Sequence, residues 1–145
     1  MSDIKEILSK NKTIAMIGVS KDPTKPSTIV MKYMQKYVYK VIPVNPRAKG
    51  EKILGVEVFG KLDEIKIPID IVDVFRPSKE VLDIAKDTVK IKAKVLWLQL
   101  GISNNDAKTL VEKNNIDYIE NRCTKMEYQK IFLEKTQAFP VLINR

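Results

Sequence analysis

Hydrophobic residues along the chain follow two alternating patterns, which predict a regular succession of strands and helices. Continuous apolar runs, typical of strands buried on both faces of a parallel sheet, occupy residues 13–18, 40–44, 69–75, 94–100 and, more briefly, 117–120. Between these runs, apolar residues recur every three or four positions, as they do along one face of a helix. The alternation predicts an α/β domain with a doubly wound, parallel sheet of five strands and right-handed crossovers.

Several residues predict where individual elements begin or lie. Pro26 falls in the first turn of the helix after the first strand. Pro43 indicates that the second strand lies at an edge of the sheet or that its pairing stops at this residue. Ser78 is the predicted N-cap of the helix after the third strand. Thr124, with a glutamate three residues later, predicts a capping box at the start of the last helix. Residues 47–60 carry three of the five glycines, which predicts a long functional loop.

Length and composition exclude several classes of function. The chain has 145 residues, one cysteine and no histidine. It therefore lacks the residues of a Ser-His-Asp or Cys-His hydrolase, a phosphohistidine relay, a disulfide framework and the commonest zinc sites, and we expect no metal site. No apolar stretch is long enough to span a membrane and no signal peptide is apparent, so a cytoplasmic protein is expected. We expect one domain over residues 1–135, followed by a C-terminal tail, 136–145.

The loops after the strands are the candidate sites, because doubly wound sheets bind ligands at the carboxyl ends of their strands. In the first loop, Gly18 matches one of the three glycines of the dinucleotide-binding fingerprint. A single glycine is explained equally well by a tight turn with no role in binding. The loop also brings hydroxyl and ammonium groups to a helix N-terminus, which attracts phosphate, although a lone lysine is ordinarily a solvated surface residue. These groups belong to Ser20, Lys21, Lys25 and Ser27.

The loop after the second strand discriminates best between nucleotides. An NAD site usually has an acidic residue there, whereas residues 44–49 contain no acid and two bases, Arg47 and Lys49. Bases in this position suit a nucleotide with an extra phosphate on its ribose, as in NADP and coenzyme A. The alternative for Asn45, in the same loop, is an ordinary turn residue.

The ends of the third and fourth strands supply further candidates. Phe75 and Pro77 are placed to flank a base and Arg76 to reach a phosphate, the alternative being a packed Phe and a surface Arg. Gln99 is polar at the mouth of the fourth strand and is a candidate, whereas Trp97 is expected in the core. The net charge of +8 also suits nucleic acid, but the lysines are spread along all helices and mixed with acids, so no nucleic-acid binding is expected.

Short motifs spread over nearly the whole chain resemble those of one family. In order along the chain they are residues 17–20 (IGVS), 25–27 (KPS), 41–46 (VIPVNP), 53–55 (ILG), 70–76 (DIVDVFR), 96–101 (LWLQLG) and 121–123 (NRC). Together they resemble the stand-alone CoA-binding protein family, which is similar to the N-terminal CoA-binding domain of the succinyl-CoA synthetase alpha subunit. Each motif alone is a weak signal, and their order makes the combination specific.

The resemblance implies a Rossmann-like domain that binds coenzyme A as its cofactor. It implies that the phosphates lie at the loop of Gly18, Val19 and Ser20 and at Ser27. It places the adenosine against Val44, Asn45, Pro46, Phe75, Arg76 and Pro77, and the pantetheine arm near Gln99 and Gly101. The synthetases also need a second domain and a phosphorylated histidine, which this chain lacks. We therefore expect non-catalytic binding of CoA, an acyl-CoA or CoA disulfide, and the alternative is an NADP-binding, oxidoreductase-like domain.

Cys123 is the one residue that offers covalent chemistry. It precedes the predicted N-cap Thr124 and follows Arg122, and both the helix dipole and the cation favour a thiolate. The hypothesis is a mixed disulfide between Cys123 and the thiol of bound CoA, and the alternative is an unreactive structural thiol. The expected partner is a small molecule, without nucleic acid or membrane, and the sequence leaves monomer and homo-oligomer both open.

Overall fold

Strands and helices alternate along residues 3–134, the part of the chain that the computed structural model describes. The strands are β1 (Thr13–Ile17), β2 (Lys40–Val44), β3 (Lys52–Ile53), β4 (Val56–Glu57), β5 (Ile71–Val74), β6 (Val95–Leu98) and β7 (Asp117–Ile119). The α-helices are α1 (Ile4–Lys10), α2 (Pro26–Lys36), α3 (Val81–Lys90), α4 (Asn105–Lys113) and α5 (Thr124–Tyr128). Short 3-10 turns lie at Pro46–Ala48, Leu62–Glu64 and Ser78–Glu80, and α5 continues into a π-helical turn at Gln129–Leu133.

One sheet organises the molecule, with the strand order β2-β1-β5-β6-β7. Every neighbouring pair in it is parallel. The chain passes from β1 outward to β2 and then returns with β5 on the other side of β1, so the strand order reverses between β1 and β5. The short strands β3 and β4 form a separate antiparallel hairpin. The predicted fold, a doubly wound, Rossmann-like parallel sheet of five strands, is confirmed.

Hydrophobic layers cover both faces of the sheet. Ile14 and Met16 of β1 pack with α1 and α2, whereas Ala15 and Ile17 pack with α3 and α4. The alternation follows from the two-residue period of a strand, and it explains why both faces of β1 must be apolar. Trp97 is fully buried, and its indole N–H donates to the carbonyl of Arg122 (2.7 Å), so its predicted core position is confirmed.

The predictions at Pro26 and Pro43 are confirmed, and a helix begins at Thr124 as predicted, but the N-cap roles predicted for Ser78 and Thr124 are wrong. Pro26 is the first residue of α2, and Pro43 lies in β2, the strand at one edge of the sheet. Ser78 begins a 3-10 turn instead of capping α3, and its Oγ accepts from the N–H of Ser103 (3.1 Å). Thr124 is the first helical residue of α5 and Cys123 occupies the N-cap position. The hydroxyl groups of Ser78 and Thr124 do not cap these helices because they form hydrogen bonds with residues in other parts of the fold.

Other expectations concern features beyond the sheet. Within residues 3–134, no helix combines the length and apolar character needed to cross a membrane. In the same part of the chain, no cluster of three or more Cys, Asp or Glu is arranged to hold a metal ion. The predicted tail, residues 136–145, lies outside the described residues.

Candidate ligand-binding cleft

A cleft of about 900 Å³ opens at the carboxyl edge of the sheet, where the strand order reverses. The ends of β1, β2 and β5 form its floor, and the turn Leu62–Glu64 and helix α3 add a further wall. Its volume lies in the range of small-molecule and cofactor sites. The predicted site residues on its walls are Gly18, Ser20, Lys21, Val44, Asn45, Pro46, Arg47 and Arg76.

Gly18 allows the ends of three strands to meet beneath the cleft. Its φ is +90°, a backbone conformation that residues with a Cβ rarely adopt. A Cβ there would lie 2.8 Å from the carbonyl oxygen of Phe75 and 2.9 Å from Cδ of Arg76. The Gly18 N–H donates to the carbonyl of Val44 (2.8 Å). The glycine therefore serves both a turn and a close approach of the loops after β1 and β5.

Hydrogen bonds within the first loop fix the start of α2 beside the cleft. The N–H of Ser20 donates to Oγ of Ser27 (3.0 Å), and the Ser20 carbonyl accepts from Oγ1 of Thr28 (2.6 Å). Lys25 occupies the N-cap position of α2 and makes no side-chain cap. The positive end of the α2 dipole therefore lies beside this loop, which favours an anion there.

Asn45 joins the loops after β1 and β2. Its Nδ2 donates to the carbonyl of Val19 (2.9 Å), and its Oδ1 accepts from the N–H of Arg47 (3.0 Å). The second bond caps the 3-10 turn Pro46–Ala48. Asn45 therefore serves as a turn residue, which was the alternative considered for it. Its bond to Val19 also connects the loops after β1 and β2 on the cleft wall.

Cations around the cleft are held by carboxylates of the same chain. Arg76 donates from Nε and Nη2 to the two carboxylate oxygens of Glu80, at 2.9 and 2.8 Å. The hydrogen bonds from Arg76, followed by the charges of Arg76, Lys79 and Arg47, lower the pKa of Glu80. Two further pairs, Lys21–Glu51 at 3.1 Å and Lys49–Glu64 at 3.0 Å, lie in the neighbouring loops. In the described part of the chain, Arg47 has no carboxylate within 4 Å.

The remaining predicted site residues do not line the cleft. They are Val19, Lys25, Ser27, Lys49, Phe75, Pro77, Gln99, Gly101 and Cys123. Val19 and Ser27 are buried behind the wall, where they take part in the bonds described above. Lys25 and Lys49 are exposed beside it. These last four residues therefore support or border the cleft without lining it.

The cleft is also lined by residues from two segments that the sequence analysis did not single out. They are Gly60, Lys61, Leu62 and Asp63 in the first segment, and Glu80, Ile84, Asp87 and Lys90 on α3 and just before it. The glycine-rich stretch 47–60 was the only signal for the first segment. The second follows helical spacing, which alone indicates a solvated face as readily as a binding one.

Sequence comparison identifies the family to which this fold and cleft belong. The family model described as the CoA binding domain matches residues 12–129. The chain belongs to the CoA-binding domain family. The matched residues include the whole five-stranded sheet and every loop around the cleft, so the resemblance drawn from the short motifs is confirmed.

Two relatives resemble this CoA-binding domain along most of its length. The uncharacterized protein YneT of Bacillus subtilis is 38% identical over 127 residues, which cover 88% of this chain and 93% of that protein. The solved structure of cell-free ID.343 from Thermus thermophilus is 35% identical, with a TM-score of 0.87. That alignment covers 91% of this chain and 100% of the Thermus chain.

A third relative is a larger protein. The ADP-forming acetate–CoA ligase of Methanocaldococcus jannaschii is 26% identical over 140 residues. The alignment covers 90% of this chain and 20% of the ligase, so the CoA-binding domain corresponds to a fifth of that protein.

Gln99 lies in a buried polar cluster of the CoA-binding domain, with Asp73 and Thr124. The amide of Gln99 donates to Asp73 Oδ1 (2.6 Å) and to Thr124 Oγ1 (3.1 Å), and Thr124 Oγ1 donates to Asp73 Oδ2 (3.2 Å). All three side chains are buried. Burial raises the pKa of Asp73 to about 7, against the lowering effect of these hydrogen bonds.

Cys123 is a free, buried thiol, 9% exposed. It packs in the hydrophobic layer that contains Trp97 and Ile119. It precedes α5, which has five residues before the π-helical turn.

Proposed function

We propose that this chain binds coenzyme A or an acyl-CoA in the cleft and catalyses no reaction of its own. The observation that carries the proposal is the match of residues 12–129 to the CoA binding domain, with a cleft at the point where its strand order reverses. The basic residues at the end of β2, where an NAD site would place an acid, support a ligand with an additional ribose phosphate.

Two sets of groups suit the phosphates of this ligand. The start of α2, with Ser20 on the cleft wall, offers the positive end of a helix dipole. Arg47 and Arg76 line the opposite loops and present guanidinium groups, which bind phosphate in a bidentate manner. We infer that Val44 and Pro46 provide apolar surface for the adenosine between these sets.

Thermal unfolding with CoA, NADP and NAD tests the proposal. A ligand at 100 times its Kd adds about 2.7 kcal/mol to stability, which corresponds to a rise in Tm of roughly 5–10 °C for a chain of this length. We expect this rise with CoA and little or none with NAD. Stabilisation by NADP without stabilisation by CoA would overturn the proposal in favour of the oxidoreductase-like alternative.

A matched pair of variants locates the binding site. Arg47→Ala removes a cation from the cleft wall, and Lys108→Ala removes an exposed cation from α4, away from the cleft. We expect Arg47→Ala to weaken CoA binding roughly three- to ten-fold and Lys108→Ala to leave it within two-fold. Equal effects would indicate that only the overall charge of the protein matters.

The absence of catalysis is a separate part of the proposal. It is supported by the lack of histidine in the chain and by the small share of the ligase that the chain matches. Incubation of the protein with acetyl-CoA, ADP and phosphate, followed by measurement of ATP, tests it directly. We expect no ATP above a protein-free blank, and turnover would refute this part while leaving CoA binding intact.

A mixed disulfide between Cys123 and CoA stays a prediction. The Cys123 thiolate would attack the S–S bond of CoA disulfide, forming a protein–CoA disulfide and releasing one CoA thiolate. The burial of Cys123 away from the cleft wall favours the unreactive alternative unless the start of α5 opens. Intact-mass measurement after exposure to CoA disulfide decides between them, because an adduct on the wild type that is absent from Cys123→Ser requires reaction at this sulfur.

A further inference from the structure

Arg76 lines the cleft at the point where the strand order reverses. It follows β5, the strand next to β1 at the reversal of strand order, and its side chain lies against the loop after β1. The contact is close, since a Cβ on Gly18 would lie 2.9 Å from the Arg76 Cδ. An anion that binds in the cleft beside Gly18 therefore lies near the Arg76 side chain.

Glu80 binds the edge of the Arg76 guanidinium that carries Nε and Nη2. The two side-by-side bonds, from Nε and Nη2, use the edge that presents parallel N–H groups to a carboxylate or a phosphate. Both side chains are partly exposed, 44% for Arg76 and 40% for Glu80, so solvent and ligand can reach the pair. Among the described residues, two ion pairs have both members on the cleft wall, and Arg76–Glu80 is the shorter, at 2.8 Å against 3.5 Å for Lys90–Asp63.

The Arg76–Glu80 pair has good hydrogen-bond geometry, but it contributes little to the stability of the protein. Exposed ion pairs contribute little to stability because water screens their attraction, so a phosphate that carries more charge than a carboxylate can replace Glu80. A ligand without a phosphate at this point gains nothing from Arg76 and meets the negative charge of Glu80.

We propose that Glu80 is a specificity-determining residue that holds Arg76 in the free protein and yields it to a ligand phosphate. This inference rests on the proposed function for the identity of the ligand, but the competition between Glu80 and a phosphate does not depend on that identity. Glu80 thereby lowers the affinity of the cleft for every anion and leaves appreciable binding only to ligands that engage other cations, such as Arg47, at the same time.

Isothermal titration with CoA of four proteins tests the exchange: the wild type, Glu80→Gln, Arg76→Ala and the double variant. Glu80→Gln keeps the size of the side chain and the backbone bond from the Glu80 N–H to Pro77, so α3 should begin unchanged. We expect it to tighten CoA binding about five-fold, and we expect no such gain when Arg76 is already alanine. An equal gain in both backgrounds, or no gain in either, overturns the proposal.

Asp87→Asn is the matched control for charge. Asp87 also lines the cleft from α3 but makes no ion pair in the described part of the chain, so its replacement removes one negative charge without releasing Arg76. We expect a gain of less than two-fold. A gain equal to that of Glu80→Gln would show that charge alone is responsible.

Pyrophosphate separates this inference from the proposed function. It carries phosphate groups without adenosine or pantetheine, and we expect Glu80→Gln to bind it several-fold more tightly than the wild type, through Arg76. If no variant binds CoA but pyrophosphate shows this difference, the proposed function fails and the role of Glu80 stands. If CoA binds but neither ligand responds to Glu80→Gln, the function stands and this inference fails.

Discussion

Replacing Asp73 by asparagine is expected to change how the stability of the protein depends on pH. Asp73 lies in the middle of β5, between Met16 of β1 and Trp97 of β6, and it has no exposed surface. Gln99 and Thr124 donate to its two carboxylate oxygens. Asparagine has the same shape and keeps an oxygen for the bond from Gln99, but it carries no charge.

The magnitude follows from the pKa of the buried carboxyl. Burial raises the pKa of Asp73 from 3.8 to about 7 in the folded protein. Between these pH values the folded protein holds a proton that the unfolded chain has released, so the free energy of unfolding falls as pH rises from about 4 to about 7 and is level above that. At 1.36 kcal/mol for each unit of pKa, the fall attributable to Asp73 approaches about 4 kcal/mol.

Urea unfolding at pH 5, 6, 7 and 8, followed by the fluorescence of the single tryptophan, measures this effect. We expect the stability of Asp73→Asn relative to the wild type to increase by about 2–3 kcal/mol between pH 5 and pH 8. Asp106→Asn, which replaces an exposed aspartate on α4, is the control for the loss of one negative charge. A difference between Asp73→Asn and the wild type that is constant with pH would refute the reasoning.

Two further substitutions, one of them with a matched control, test a close backbone contact beside the cleft and a buried hydrogen bond in the core. Gly18→Ala should lower stability by at least about 2 kcal/mol and weaken CoA binding, because its Cβ would lie 2.8 Å from the Phe75 carbonyl oxygen. Gly55→Ala, also at positive φ but with no atom near the added Cβ, should cost only about 1 kcal/mol in urea unfolding and serves as control. Tyr39→Phe should lower stability by about 1 kcal/mol, because the buried Tyr39 hydroxyl donates to the Leu8 carbonyl at 2.6 Å; an unchanged urea midpoint would contradict this.

Hydrophobic periodicity predicted the fold because strands covered on both faces must be apolar throughout. It predicted the ends of the strands less well. The apolar run 94–100 extends to Leu100, but β6 ends at Leu98, and Leu100 is 56% exposed. An apolar residue that continues past the last ladder hydrogen bond looks the same in sequence as one inside the strand.

The capping box at Thr124 was predicted from local spacing and was wrong for a reason that lies far away in the chain. Its hydroxyl bonds to Asp73, 51 residues earlier, and to Gln99. Local capping preferences are worth about 1 kcal/mol, which is less than the cost of leaving a buried carboxyl without donors. Because sequence spacing does not show which strands become neighbours, this competition was not predictable.

The part of the site that was predicted is the set of loops at the carboxyl ends of the strands, where doubly wound sheets bind their ligands. The loops after β1, β2 and β5 were identified because strand ends of a doubly wound sheet share one edge, and eight of the predicted residues line the cleft. The wall formed by α3 was not predicted. Ile84 and Asp87 reach the cleft because β5 lies next to β1, and that neighbour relation is a property of strand order.

The buried cluster limits how closely a ligand can use Gln99. The amide hydrogens of Gln99 are engaged by Asp73 and Thr124, so a ligand atom that took either bond would leave a buried acceptor without its donor. That loss offsets the gain from a new hydrogen bond of the same kind. A pantetheine arm that runs toward residues 99–101 would therefore bind at less cost along the exposed backbone at Gly101 than at the Gln99 side chain. On this reasoning, Gln99→Leu should lower stability far more than it lowers the affinity for CoA, as expected of a residue that positions the edge of the sheet.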